Sequence, residues 1–253
     1  MTERLEGMSK VVVITGGNSG IGEACAWKFA REQCTVIVCG RDHVRNVRVC
    51  ESINRGAGCA HPYAVDLRSP TELADLFKQL ALDHPPINCL VNSIGIDGRS
   101  FTMTEDYPDA DFEDVMSTNV SAPWRCMKAV LPAMREAGYG SIVNVASLAG
   151  LNASVTGGSV YTASKHALVG ITKAVAKEYA PYGVRVSAVC PGFVSTPLAR
   201  HVLGSQFDDV CASQPMGRVC EAYEVAELVY WLSSDAASYV TGVAVPIDGG
   251  FRA

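Results

Sequence analysis

The chain has 253 residues, 48% of them hydrophobic and 19% charged, with a formal net charge of -5. That apolar content suffices for a large core, and α/β chains of this length commonly stay undivided, so residues 1–253 read as a single domain with its core over 10–250. The slightly acidic balance lacks the basic excess that a phosphate backbone draws on, which argues against nucleic acid as a partner.

The first ten residues include Glu3, Arg4, Glu6 and Lys10 and no long apolar run, so no secretory leader is expected. No stretch approaches the ~18 uninterrupted apolar residues of a membrane span. The ten cysteines run from Cys25 to Cys220 with no CxxC pair and no grouping with the five histidines. No metal site is expected from them. Cys39, Cys89, Cys126 and Cys190 fall inside predicted elements as small hydrophobes, which suits a reducing, cytoplasmic setting.

Short apolar runs alternate with segments of helical period. Strands are predicted at 10–15, 35–39, 59–64, 87–92, 141–146, 185–190 and 243–247. Helices are predicted at 20–33, 41–55, 69–83, 112–137, 160–179 and 223–232. Residues 11–14 and 36–38 are apolar consecutively, and 142–145 are so but for Asn144, as strands are when helices cover both sheet faces. The fold class is therefore α/β, a doubly wound, mostly parallel seven-stranded sheet.

Between the first strand and the first helix lies Gly16-Gly17-Asn18-Ser19-Gly20-Ile21-Gly22. Glycines let backbone approach a pyrophosphate, and a helix N-terminus offers unpaired N–H donors, so a dinucleotide is expected here. The second strand ends in Cys39-Gly40-Arg41-Asp42, without a carboxylate at the position that would bind ribose hydroxyls. Arg41 can pair with a 2′-phosphate, which favours NADP(H) over NAD(H). Alternatively, Arg41 is a solvated residue at the helix start and Asp42 its capping acid.

Tyr161 and Lys165 stand four apart in one helical segment, so they share a face. A nearby ammonium favours the phenolate and brings the tyrosine toward useful acid–base work. By itself, such a pair equally describes a surface tyrosine beside a solvated lysine. Ser147 follows the strand just before this helix, at a carboxyl end of the sheet, where its hydroxyl can hold a reacting oxygen. Asn119 reads from its surroundings only as a capping or kink-stabilising amide near Pro123.

Taken together, the motif ending at Gly22, Asp66, Asn92 with Gly95, Asn119, Ser147, Tyr161, Lys165 and Pro191-Gly192 resembles the short-chain dehydrogenase/reductase family, of Rossmann type. The likeness runs from Lys10 to Gly250 and includes residues 239–242 and 248–250. It implies Tyr161 as the acid–base, Ser147 orienting the carbonyl, and Lys165 binding the nicotinamide ribose and lowering the tyrosine pKa. It also implies Asn119 holding a water in a proton relay. Asp66, with Leu67 beside it, would contact adenine; Asn92 and Gly95 would line the adenosine side. Pro191, Gly192, Val194 and Thr196 would secure the carboxamide and phosphates. The chain departs from the family's usual Asn-Asn-Ala-Gly: it has Asn92-Ser93-Ile94-Gly95, with a bulkier residue facing the cofactor and a serine in place of an amide thought to brace the sheet.

Residues 152–159 are polar and glycine-containing and should border a substrate. Residues 193–216 should form a lid, with Leu198, Val202, Leu203 and Phe207 either packing it or touching substrate. The expected activity is hydride transfer between NADP(H) and a ketone, secondary alcohol or 3-oxoacyl compound. Alternatives are an NAD-dependent alcohol dehydrogenase and a non-catalytic dinucleotide-sensing protein. The resemblance also implies a homo-oligomer, tetramer or dimer, joined through the two longest helices.

Overall fold

The structure is a computed structural model that describes residues 10–56, 58–154, 156 and 158–253. The strands β1 (Val11–Thr15), β2 (Thr35–Gly40) and β3 (Cys59–Ala64) alternate with α1 (Gly20–Arg31), α2 (His43–Arg55) and α3 (Pro70–Asp83). After β4 (Ile87–Asn92) come α4 (Asp109–Met116), α5 (Ala122–Ala137), β5 (Gly140–Val145), α6 (Gly158–Tyr179) and β6 (Val184–Pro191). The remainder holds β7 (Val194–Ser195), α7 (Pro197–Leu203), α8 (Phe207–Ser213), β8 (Cys220–Glu221), α9 (Ala222–Ser233) and β9 (Ala244–Ile247).

Seven strands form one parallel sheet in the order β3-β2-β1-β4-β5-β6-β9. The order reverses between β1 and β4, and such a switch point opens a crevice at the carboxyl ends of the strands. Successive residues of β1 serve opposite faces. Val12 and Ile14 pack with Cys25 and Phe29 of α1 and Val225 and Val229 of α9. Val11 and Val13 pack with Leu76 of α3, Met127 and Val130 of α5 and Val175 of α6. This double burial explains the unbroken apolar runs.

The predicted helix at 112–137 begins earlier and is not uniform. Between α4 and α5 lies a π-helical turn, Ser117–Ser121, in which Ala122 N–H reaches back five residues to Ser117 C=O. Pro132 lies inside α5. The two-residue strands β7 and β8 pair outside the main sheet and carry too short a pattern to be predicted. All ten cysteines are free. Among the described residues no helix is long and apolar enough to cross a membrane.

Candidate active site

The glycine loop is shaped by close backbone approaches. Gly16 has φ +66°, and a Cβ there would lie 3.0 Å from Ser93 C=O. A Cβ on buried Gly22 would lie 2.1 Å from Gly16 C=O, so α1 approaches the loop only because this position is bare. Ser19 sits at the N-cap of α1 with no side-chain capping bond. Gly16, Asn18, Ser19, Gly20 and Ile21 line one groove together with Arg41, Asp66, Leu67, Gly95, Tyr161, Lys165 and Thr196. Gly22 does not line it; its part is to bring helix and loop together.

At the β2 end of this groove, Asn18 Nδ2 donates to Asn46 Oδ1 at 2.7 Å, and Asn46 Nδ2 donates to the carbonyls of Gly40 and Tyr63. A Cβ at Gly40 would meet Asn18 Nδ2 at 2.7 Å. A side chain at 40 would have to push the Asn18 amide away from Asn46. Asp42 caps α2 by accepting from Arg45 N–H at 3.0 Å, while Arg41 stays exposed on the groove with no carboxylate paired to it among the described residues.

Asp66 is gripped by the Arg68 guanidinium, which also reaches Asp114 at 2.6 Å. The hydrogen bonds from Arg68 hold the Asp66 carboxyl below its usual range. Arg68, Asp114 and Asn46 were not anticipated. Arg68, two residues beyond Asp66, was the one visible in sequence, whereas Asp114 and Asn46 meet Arg68 and Asn18 of the groove only through folding.

Asn92 does not line the groove. Its amide is buried, donating to Asn144 Oδ1 at 2.9 Å and accepting from Thr15 Oγ1 at 3.4 Å, so it braces β1, β4 and β5. The groove wall there is Ser93, Ile94, Gly95 and Ile96 instead. Ser93 contributes its N–H, which donates to Thr15 Oγ1 at 3.2 Å. Bracing that the serine cannot supply is thus present in the neighbouring amides.

Tyr161, Ser147 and Lys165 come together where the sheet reverses. Ser147 follows β5 and accepts from Ala149 N–H at 3.1 Å. Lys165 is 4% exposed; its Nζ donates to Val145 C=O at 3.2 Å and lies 5.6 Å from the Tyr161 ring centre. The expectation that Lys165 lowers the tyrosine pKa needs correction in this geometry. Burial pushes the Tyr161 phenol up to about 12; the facing Ser147 hydroxyl pulls it back and Asp97 raises it further. Burial likewise pushes Lys165 down to about 8, against the opposing pull of Cys190 and Asp97. Withdrawal from water outweighs pairing for both groups, since each is neutral in its favoured form.

Asn119 is fully buried in the π turn, and its side-chain amide is held by protein partners. Its Oδ1 accepts from Ile96 N–H, and Nδ2 donates to Ile96 C=O, all at 2.9 Å. Nδ2 also donates to Ser164 Oγ at 3.0 Å, and Ser164 Oγ donates to Tyr161 C=O at 2.7 Å. The amide therefore ties the β4 loop to the turn of α6 that carries Tyr161. A π turn re-aims side chains in this way and commonly marks functional sites.

A second cavity adjoins the groove through Tyr161. Pro191, Gly192 and Val194 line this cavity and not the groove, while Thr196 and Leu198 border both. From the polar stretch, Ser154 and Thr156 line it, Ser159 pairs with Thr104, and Gly157 lies outside the described residues. Leu198, Val202 and Leu203 face the cavity; Phe207 packs with Leu203 and Val219. Asp97, buried in the same wall, was missed.

The family model described as Enoyl-(Acyl carrier protein) reductase matches residues 16–252. The chain belongs to the short-chain dehydrogenase/reductase family. It is an oxidoreductase of a family that uses NAD(P) and acts on CH–OH and C=O groups. It is 32% identical to a D-beta-hydroxybutyrate dehydrogenase of Rhizobium meliloti, over 97% of this chain and 100% of that protein. It is 37% identical to a putative ketoacyl reductase of Streptomyces coelicolor, over 96% and 97% of the two chains. An actinorhodin polyketide ketoreductase solved with NADPH superposes with a TM-score of 0.92 at 35% identity, covering 96% of this chain and 97% of that one. The bare glycine cradle, with the clearances given above, fits a dinucleotide of the kind this family uses.

Proposed function

We propose that the protein is an NADP(H)-dependent reductase of ketones in which Tyr161 donates the proton. One observation carries this reading: Tyr161 stands where groove and cavity meet, with its phenol pushed up to about 12. Such a phenol keeps its proton at neutral pH, and a carbonyl oxygen that is being reduced must receive one.

The glycine loop, Arg41, Asp66, Leu67, Gly95 and Thr196 would hold the dinucleotide, which when bound would supply the hydride. Ser147 orients the carbonyl oxygen toward the Tyr161 hydroxyl, which shortens the proton's path. Lys165, buried beside the ring with its pKa pushed down to about 8, is still mostly protonated at pH 7 and is the cation beside the tyrosine as the phenolate forms. Asn119 is a positioning residue: through Ser164 it fixes the backbone of Tyr161. The exposed faces of Phe112 and Trp124, on α4 and α5, support the reading of a homo-oligomer.

Arg41 supports NADP(H), and a calorimetric titration with NADPH and NADH tests it. Tighter binding of NADPH is expected, with a loss of about tenfold or more in Arg41→Ala that leaves NADH unaffected, the size of a charge-assisted hydrogen bond. Preference for NADH would move the assignment to an NAD-dependent alcohol dehydrogenase.

A further inference from the structure

Asp97 is 8% exposed and forms part of the cavity wall that also carries Ser147 and Tyr161. Burying a carboxylate is costly unless other groups compensate it, so its surroundings bear on its purpose. Ser100 Oγ donates to Asp97 Oδ2. The other carboxylate oxygen receives no hydrogen bond from the described residues. Arg99, two residues along, is turned away: its Nε pairs with Asp111, and its N–H donates to the Tyr107 hydroxyl at 3.0 Å. Gly98 between them has φ +74°, and a Cβ there would collide with the Tyr107 hydroxyl at 2.2 Å. The loop is further pinned by Phe101 N–H donating to Thr156 C=O at 2.7 Å. The acid is thus held in the wall by a fixed turn, away from the cation that could have neutralised it.

The rest of the wall is apolar or hydroxylated. Leu148, Phe193, Val202 and Phe251 supply apolar surface; Ser154 and Thr156 supply hydroxyls. No lysine, arginine or histidine lines the cavity among the described residues. Lys165 lies on the groove side and spends a hydrogen bond on Val145 C=O. A carboxylate-bearing substrate would therefore meet a like charge and, among the described residues, no cation on the cavity wall, Lys165 being drawn to Asp97 from the groove side, whereas a hydrogen-bond donor would complete the open oxygen of Asp97.

We propose that Asp97 is a specificity-determining residue that selects carbonyl compounds bearing a hydrogen-bond donor, a hydroxyl or ammonium, beside the reacting carbon and rejects carbonyl compounds bearing a carboxylate. This deepens the reductase reading above and rests on it for the reacting position. It separates this chain from its hydroxybutyrate dehydrogenase relative in substrate class, though the two share the fold.

The test compares acetoin, butanone and acetoacetate as substrates of the full-length protein with its preferred cofactor. The expected order of kcat/KM is acetoin, then butanone, then acetoacetate. In Asp97→Asn the acetoin-to-acetoacetate ratio should fall about tenfold or more, chiefly through KM, because the charge is lost while the shape is kept. Acetoacetate turned over as well as acetoin by the unmodified protein, or a ratio unmoved in the variant, would overturn the proposal. Ligand-observed NMR of butanediol and hydroxybutyrate on the unmodified protein reads the same preference without turnover and without relying on the variant's folding. Preferential binding of butanediol with no turnover of any ketone would uphold the role of Asp97 while sinking the reductase reading. Preferential binding of hydroxybutyrate would sink the role of Asp97.

Discussion

The two sides of the cleft are built in different ways. The groove at the β1 and β2 ends is made largely of backbone and bare positions, Gly16, Gly20, Gly40 and Gly95, drawn from short segments just after consecutive strands. The cavity beyond Tyr161 is made of side chains from separate regions: Asp97 after β4, Ser154 and Thr156 before α6, Val202 on α7 and Phe251 near the end of the chain. A ligand common to many reactions can be met by backbone geometry, which tolerates little change. A ligand particular to one reaction is met by side chains that change without disturbing the sheet.

Tyr161 belongs to both sides, so its loss should have the largest effect. Tyr161→Phe keeps the ring and removes the proton, and kcat for ketone reduction should fall about 10²–10⁴-fold with dinucleotide binding retained. Steady-state kinetics together with a cofactor titration check this. A fall in cofactor affinity that accounted for the whole loss would place the tyrosine in the groove alone.

The same contrast decides what could be seen in the sequence. The sheet, its seven strands and the glycine loop were legible because each rests on a local pattern: consecutive apolar residues, or glycines between a strand and a helix. Asn92 was misplaced because sequence position gives the strand end but not the face an amide turns to; Thr15 and Asn144 claim it across β1 and β5. The side-chain bonds of Asn119 to Ile96 and Ser164 could not be read from sequence, because they depend on a π turn that has no periodic signal of its own. The raised phenol and lowered ammonium at Tyr161 and Lys165 could not be anticipated from spacing, since the decisive quantity is burial. Asp97 was passed over because an acid after a glycine motif looks like a solvated loop residue until the turn at Gly98 folds it inward.

Substitution in the groove should damage the fold itself. Gly22→Ala puts a Cβ 2.1 Å from Gly16 C=O, backbone against methyl, with no side chain able to give way. The cost should reach or exceed ~3 kcal/mol, the upper end for overpacking, and lower the midpoint of chemical denaturation together with dinucleotide affinity. Retention of both would mean that α1 can slide, and the rigid backbone account of the groove would fail.

The smallest effect expected is also the one that reads electrostatics apart from catalysis. Lys165 has its folded pKa pushed by burial from 10.5 to about 8, so between pH 8 and 10.5 the unfolded chain binds more protons than the folded one. Stability from this group therefore rises with pH through that window, and below pH 8 the folded protein bears the full cost of a buried charge. Lys165→Met removes that cost. At pH 7 the variant should be the more stable by about 2 kcal/mol, which is part of the ~1.4 kcal/mol per pKa unit, the remainder being lost with the Nζ bond to Val145 C=O. The difference should close between pH 8 and 10.5, as the folded lysine loses its charge, and the Nζ bond to Val145 C=O then favours the unmodified protein; the raised phenol of Tyr161 alters both proteins alike. Chemical denaturation across this range measures it. A gap that stays constant with pH would mean that Lys165 keeps its ordinary pKa and that burial does not disfavour its charge.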